Sequence, residues 1–180
     1  MDKLSELVAR SEIQDSLCRY ARGVDRRDWA AVRACYHDDA TDEHGEFSGT
    51  ANDFIEWVSK RHAAIPFAAH FLGNCLIEFL DDRTANVETY FVAMQRRPAS
   101  ASASANEGNG AGAEVDAEVI GRYLDRFEQR NGAWKVAKRR VVYDSSRSST
   151  STHKPRTSRG ALGTRTPLDP VFQLFERRQS

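Results

Sequence analysis

The sequence predicts an α+β domain: three helices, then a long antiparallel sheet. Three observations predict it. Apolar residues recur at three- and four-residue steps through roughly the first sixty positions. From His70 onward the period changes to two. Asn131-Gly132, set between alternating stretches, is the strongest hairpin signal in the chain. Helices followed by strands pack on one curved face of the sheet.

Residues 3–23 read as the first helix. Leu4, Leu7, Val8, Ile13, Leu17, Tyr20 and Val24 form one apolar face. Ser11 with Gln14 offers a second starting point near Glu12. Gly23 is the expected stop. Asp28 suits the N-cap of a short second helix with Trp29, Val32, Cys35 and Tyr36 on its inner side. Residues 37–41 become extended, and 43–49 read as a tight hairpin. Thr50 or Asn52 then caps a third helix carrying Phe54, Ile55, Trp57 and Val58. Four long strands follow, over 70–80, 84–96, 117–130 and 133–143. Residues 1–145 therefore form the domain. Within it, 98–113 (PASASASANEGNGAGA) lacks any large apolar side chain and reads as an exposed flexible loop. Residues 144–180 hold seven Lys or Arg against three acids, with much Ser and Thr. The end of this tail, from Leu168, is apolar enough to dock on the domain or on a neighbouring subunit.

Composition narrows the function. The 180 residues carry 26 basic and 26 acidic side chains, a formal net charge of zero, which argues against a protein built to hold nucleic acid. Cys18, Cys35 and Cys75 are odd in number and lie in apolar segments. The opening MDKLSELVARSE has no signal-peptide apolar core. Together these predict free thiols in a reducing cytoplasm. No apolar run approaches the roughly 20 residues that span a bilayer. The Cys spacings fit no zinc motif, and no glycine-rich phosphate loop follows a strand. Neither metal nor organic cofactor is expected.

The strand starting at His70 carries the chemistry. Strict alternation puts His70, Leu72, Asn74, Leu76 and Glu78 on one face. A helix-covered face should be apolar throughout, and a polar group left unpaired there costs about 1–3 kcal/mol. A cavity with a few placed polar groups explains the pattern; a solvated strand end is the plain alternative. Asp25, at the end of the first helix, either caps a turn or accepts from one ring nitrogen of His70. The second arrangement leaves the other nitrogen free as a base. Tyr20 is either a core tyrosine or a phenol donor to a substrate oxygen. The last strand offers cations on both faces, among them Arg139 and Arg140. His37, His44, His62 and His153 read as surface residues.

The order of motifs resembles the SnoaL-like family of the nuclear transport factor 2-like superfamily. The resemblance spans about residues 5–145 and rests on YARGVDRRDW, CYHDDATDEHGEFSG, the strand start AAHFLGN, and YLDRFEQRNGAWKVAKRRVVYD. It implies a cone: a strongly curved sheet wrapped against three helices around an apolar pocket, assembled as a homodimer or homotrimer. The pattern is most similar to the family's dehydratase-like enzymes, such as scytalone dehydratase, bile-acid 7α-dehydratase and hexachlorocyclohexane dehydrochlorinase. That similarity implies a cofactor-independent lyase in which His70 takes a proton from carbon and Asp25 orients it. Tyr20 and Arg139 match the helix tyrosine and the last-strand cation, with Arg140 an equal choice for the latter. Asn74 is the implied polar pocket residue. Leu72, Leu76, Phe54, Trp57 and Tyr90 are the expected walls for a hydrophobic cyclic or polycyclic substrate. No histidine stands where scytalone dehydratase has its second one, on a later strand. The same superfamily contains isomerases and the non-catalytic β-subunits of ring-hydroxylating dioxygenases, so the fold alone does not choose the reaction.

Overall fold

A computed structural model of the chain describes residues 1–99, 114–152 and 160–175. Apart from its first two positions, the expected loop at 98–113 lies outside the described residues, and so does His153.

Helix α1 (Lys3–Arg26) begins at Asp2, whose carboxylate accepts the Ser5 N–H at 2.8 Å. Ala9, Ile13, Leu17, Tyr20 and Val24 form its buried stripe. Leu4, Leu7 and Val8 belong to the same sequence pattern but remain exposed. The helix does not stop at Gly23. It runs to Arg26 and ends at Arg27 in the left-handed region (φ 57°), with the Asp28 N–H returning to the Gly23 carbonyl at 2.8 Å. Gly23 serves close packing instead: a Cβ there would lie 2.7 Å from Val32 Cγ2 on α2 (Trp29–Ala34). The extra turn matters because it carries Asp25 into the interior.

Strands β1 (Tyr36–His44) and β2 (Phe47–Thr50) form the short hairpin. Helix α3 (Ala51–His62) opens with a capping box between Thr50 and Asp53. Strands β3 (Phe67–Asp81), β4 (Thr84–Pro98), β5 (Glu114–Arg130) and β6 (Ala133–Thr150) complete a six-stranded sheet in the order β2-β1-β6-β5-β4-β3. Every pairing is antiparallel except β1 with β6. Asn131 (φ 52°) and Gly132 (φ 77°) both take the positive φ that a two-residue hairpin turn requires. Irregularities at Ile120/Gly121 and Arg126/Phe127 bend β5 against β6 and curve the sheet over the helices. At the first bend a Cβ on Gly121 would meet the Val142 carbonyl oxygen at 2.3 Å, so only glycine fits.

A third irregularity overturns part of the expected strand face. Leu72 pairs with Phe91, whereas Cys75 pairs with Thr89. Gly73 and Asn74 of β3 thus oppose the single Tyr90 of β4, and the alternation inverts after Leu72. Cys75, Ile77 and Phe79 turn inward, while Asn74, Leu76 and Glu78 turn out. The core lies between this inner face and the helices, centred on Ile13, Tyr36, Phe54, Tyr123, Phe127 and Val136.

Strand β6 continues past residue 145 to Thr150. Further along, a short helix α4 (Pro170–Leu174) is capped by Asp169. The Asp169 carboxylate also accepts the Thr164 N–H at 2.7 Å and lies 3.3 Å from Arg26 at the end of α1. No helix among the described residues is long and apolar enough to cross a membrane.

Candidate active site

The last turn of α1 and the start of β3 meet at Asp25 and His70. Asp25 Oδ1 lies 2.6 Å from His70 Nδ1, and Oδ2 accepts the backbone N–H of His70 at 2.9 Å. Both carboxylate oxygens therefore serve one residue. The two side chains are nearly buried, 13 % exposed for Asp25 and 8 % for His70. An ionised carboxylate only accepts, so the ring proton sits on Nδ1 and Nε2 keeps its lone pair.

His70 borders a cavity of about 250 Å³ between the sheet and the helices. Tyr20, Val24, Trp57, Val58, Phe91, Val119, Tyr123 and Tyr143 line its apolar part. Its polar groups include His44, Arg61, His62, His70 and Gln95. An apolar cavity of roughly 150 Å³ holds a benzene ring, so this one suits a molecule of one or two rings. Phe91 and Tyr123 stack with centroids 4.5 Å apart, and Tyr20 meets Tyr123 edge-on at 5.7 Å. Burial pushes the Tyr20 hydroxyl well above its ordinary pKa, with Arg139 opposing. Tyr20 therefore stays a neutral phenol and a hydrogen-bond donor.

The cavity contains Tyr20, Trp57 and His70 of the expected site, and Asp25 stands behind His70. The other six expected residues do not line it. Asn74, Leu76 (57 % exposed) and Tyr90 (43 % exposed) lie on the outer face of the sheet, the first two because of the bulge after Leu72. Arg139 is fully buried beneath the cavity floor, not in the cavity. It donates to Asp125 through Nε at 2.7 Å and Nη2 at 2.6 Å. Its guanidinium lies 4.1 Å from the Tyr20 ring centroid and 4.3 Å from that of Tyr123. Burial opposes its charge, but Asp125 and Tyr36 hold its pKa well above the ordinary value. Arg140 pairs at the surface with Glu43. Phe54 is fully buried behind Trp57 and His44, and Leu72 is half-buried against the core.

Two histidines expected at the surface belong to the cavity. His44 stacks on Phe54 at 5.1 Å between centroids. Its Nδ1 lies 3.6 Å from the fully buried Asp42 Oδ1, and neither atom has a hydrogen-bond partner among the described residues. Tyr36 donates to the other Asp42 oxygen at 2.6 Å. His62 is 4 % exposed at the end of α3, where its Nδ1 receives Arg165 Nη2 at 2.9 Å. Burial first, then the Arg165 charge, lowers the His62 pKa to about 3. The sequence did carry a signal for His62: Ala51, Phe54, Val58 and His62 share the buried face of α3. No group of three His, Cys, Asp or Glu side chains among the described residues could hold a metal ion.

Residues 5–140 match the SnoaL-like domain. The chain belongs to that family. No curated protein matches the sequence. Several solved structures share the fold. A type 2 hexachlorocyclohexane dehydrochlorinase superposes with a TM-score of 0.71 at 18 % identity, covering 87 % of this chain and 99 % of its own. A protein assigned as a scytalone dehydratase from Novosphingobium aromaticivorans gives 0.67 at 17 % identity, covering 86 % and 94 %. The β-subunit assigned to an aromatic-ring-hydroxylating dioxygenase of that organism gives 0.57 at 20 %, covering 78 % and 92 %. At these identities the likeness is one of fold. It places this SnoaL-like domain beside a dehydrochlorinase, an assigned dehydratase and an assigned dioxygenase β-subunit.

Proposed function

We propose that the protein is a cofactor-independent lyase that removes water from a small hydrophobic cyclic hydroxy-ketone, with His70 as general base. The Asp25–His70 pair carries this reading. A carboxylate that spends both oxygens on one histidine fixes that ring's position and its tautomer together. A subunit with only a structural role has no use for such a pair on an apolar cavity.

In the proposed reaction His70 Nε2 takes the proton from the carbon next to the carbonyl. The carbon's electron pair becomes the new C=C bond as the bond to the β-hydroxyl breaks. The departing hydroxide leaves with the proton that His70 carried, so the products are an enone and water and the imidazole is restored. Tyr20, neutral at any working pH, donates a hydrogen bond to a substrate oxygen. Arg139 acts through Tyr20, by holding its ring and its hydroxyl in place. The cavity volume favours one or two rings over a larger polycycle. Return of the proton to another carbon would make the same base an isomerase, and the loss of water separates the two.

The test is a panel of one- and two-ring β-hydroxy-ketones, followed by the ultraviolet absorption of the enone. General base catalysis contributes typically 10²–10⁴-fold. His70→Gln should lower kcat/KM by at least about 100-fold. In Asp25→Asn a single acceptor faces two donors of His70, and the amide NH2 facing Nδ1 drives the ring proton to Nε2, with a comparable loss. Full activity in His70→Gln, or no release of water from any member of the panel, defeats the lyase reading.

A further inference from the structure

Arg165 reaches the site from far along the chain. It precedes helix α4 in the chain, is only 7 % exposed, and places its guanidinium at the junction of α1 and α3. Its hydrogen bonds to the described residues fall on this junction. Nε donates to the Asp25 carbonyl at 2.8 Å, Nη1 to the Ile65 carbonyl at 2.7 Å, and Nη2 to the Val24 carbonyl at 2.8 Å. Nη2 also meets His62 Nδ1 at 2.9 Å. An arginine has no acceptor, so His62 Nδ1 must present its lone pair. The His62 proton is therefore on Nε2. The ring is held edge-on to Trp29 with centroids 5.8 Å apart, and it borders the cavity. Its Nε2 makes no hydrogen bond to any described residue, and it is not among the buried polar atoms left without a partner.

We propose that His62 is a substrate-binding residue of the cavity, a neutral imidazole whose Nε2–H donates to a substrate oxygen, with Arg165 as the positioning residue that fixes its tautomer. The proposal rests on the lyase reading for the identity of that oxygen, the carbonyl or the departing hydroxyl. His62 and His70, two of the three histidines on the cavity, are then set in opposite senses. A carboxylate acceptor behind His70 leaves a bare Nε2, and a guanidinium donor behind His62 leaves an Nε2–H. The depressed His62 pKa supports the assignment, because the ring remains an uncharged donor across the working range.

The test reads the tautomers directly, by long-range ¹H–¹⁵N correlation of the full-length protein near neutral pH. His62 should show the Nε2–H form and His70 the Nδ1–H form. Arg165→Gln should move His62 toward a tautomer mixture, and Arg165→Lys, which still donates, should restore Nε2–H. Saturation with 1-tetralone should shift the His62 Nε2–H resonance, and tetralin, which lacks the oxygen, should not. His62→Phe should weaken 1-tetralone binding by severalfold to about tenfold, as expected for one neutral hydrogen bond, and leave tetralin binding unchanged. A protonated or Nδ1–H His62 overturns the proposal, as does an Nε2 resonance unmoved by the ketone. Because binding is read without turnover, the two proposals fail separately. A His62 response in a protein that releases no water removes the lyase and keeps the donor. Turnover with unchanged kcat/KM in His62→Phe removes the donor and keeps the lyase.

Discussion

Replacing Asp125 with leucine should be among the most damaging single changes available in this protein. Both partners of the Arg139–Asp125 pair are fully buried, and two hydrogen bonds of 2.7 and 2.6 Å join them. Asp125→Leu leaves a guanidinium in the interior with only aromatic faces and the Tyr36 hydroxyl, at 3.4 Å, for company. Breaking a buried pair from one side costs about 3–5 kcal/mol. That is a large share of the roughly 5–15 kcal/mol that holds a domain together. Removing both charges in Asp125→Leu/Arg139→Met avoids the orphan. It still forfeits the stacking of Arg139 on Tyr20 and Tyr123, worth about 0.5–2 kcal/mol where desolvated. The double variant should therefore lie within about 2 kcal/mol of wild type, and the cycle should return a coupling of at least about 2 kcal/mol. Urea unfolding at constant slope measures both variants and Arg139→Met, the remaining corner of the cycle. An Asp125→Leu loss below about 1 kcal/mol, or a double variant no better than the single, refutes the description of Arg139 as a buried structural cation.

Other predictions follow from the same coordinates. Acid should weaken the fold through His62: its folded pKa of about 3 lies below the ordinary 6.5, so the unfolded chain binds the extra proton between these values. Stability is then fully present above pH 6.5 and falls as pH drops toward 3, by at most about 5 kcal/mol. Arg165, His70, Arg61 and His44 all oppose the added charge, and His62→Gln should flatten this part of the stability–pH curve. Gly23→Val should destabilise by about 1–3 kcal/mol in urea, because its Cβ would press on Val32 Cγ2 at 2.7 Å and on the Asp28 carbonyl at 3.2 Å. Leu76→Ser and Tyr90→Ser, on the outer face of the sheet, should leave kcat/KM within about twofold of wild type, since they touch nothing that binds or reacts.

The helical part of the fold was legible because its signals are local. Asp28 and Thr50 cap the helices they were expected to cap, and Asn131-Gly132 turns the expected hairpin. Asp25 and His70 could be paired only through the resemblance, since nothing local relates residues 45 positions apart. The misplacements share one physical origin: alternation and helix stops were read as uninterrupted rules. Gly73 within β3 was the available warning of a bulge, and the bulge sent Asn74, Leu76 and Glu78 outward. Gly23 looks like a helix stop, yet it answers to a neighbouring helix that local sequence does not reveal. Arg139 was expected to meet substrate because the resemblance implies a last-strand cation in the pocket. The partner is Asp125, directly opposite on the neighbouring strand β5. Arg165 had no legible role, since its acceptors are backbone carbonyls, which sequence does not display.

The Arg165 contacts also impose an order in time. Asp25 and Arg165 stand 140 positions apart, whereas Asp25 and His70 are separated by 45. During synthesis at about 5–20 residues per second, the sheet and the base beside it can close while the guanidinium is still unmade. Joining it afterwards adds little chain-closure entropy, because that cost grows only as the logarithm of the span. The 160–175 segment can thus undock and redock as a unit while the domain stays folded. Amide exchange should find two populations at one site: slow in β3 and α1, fast in the segment whose Arg165 meets His62.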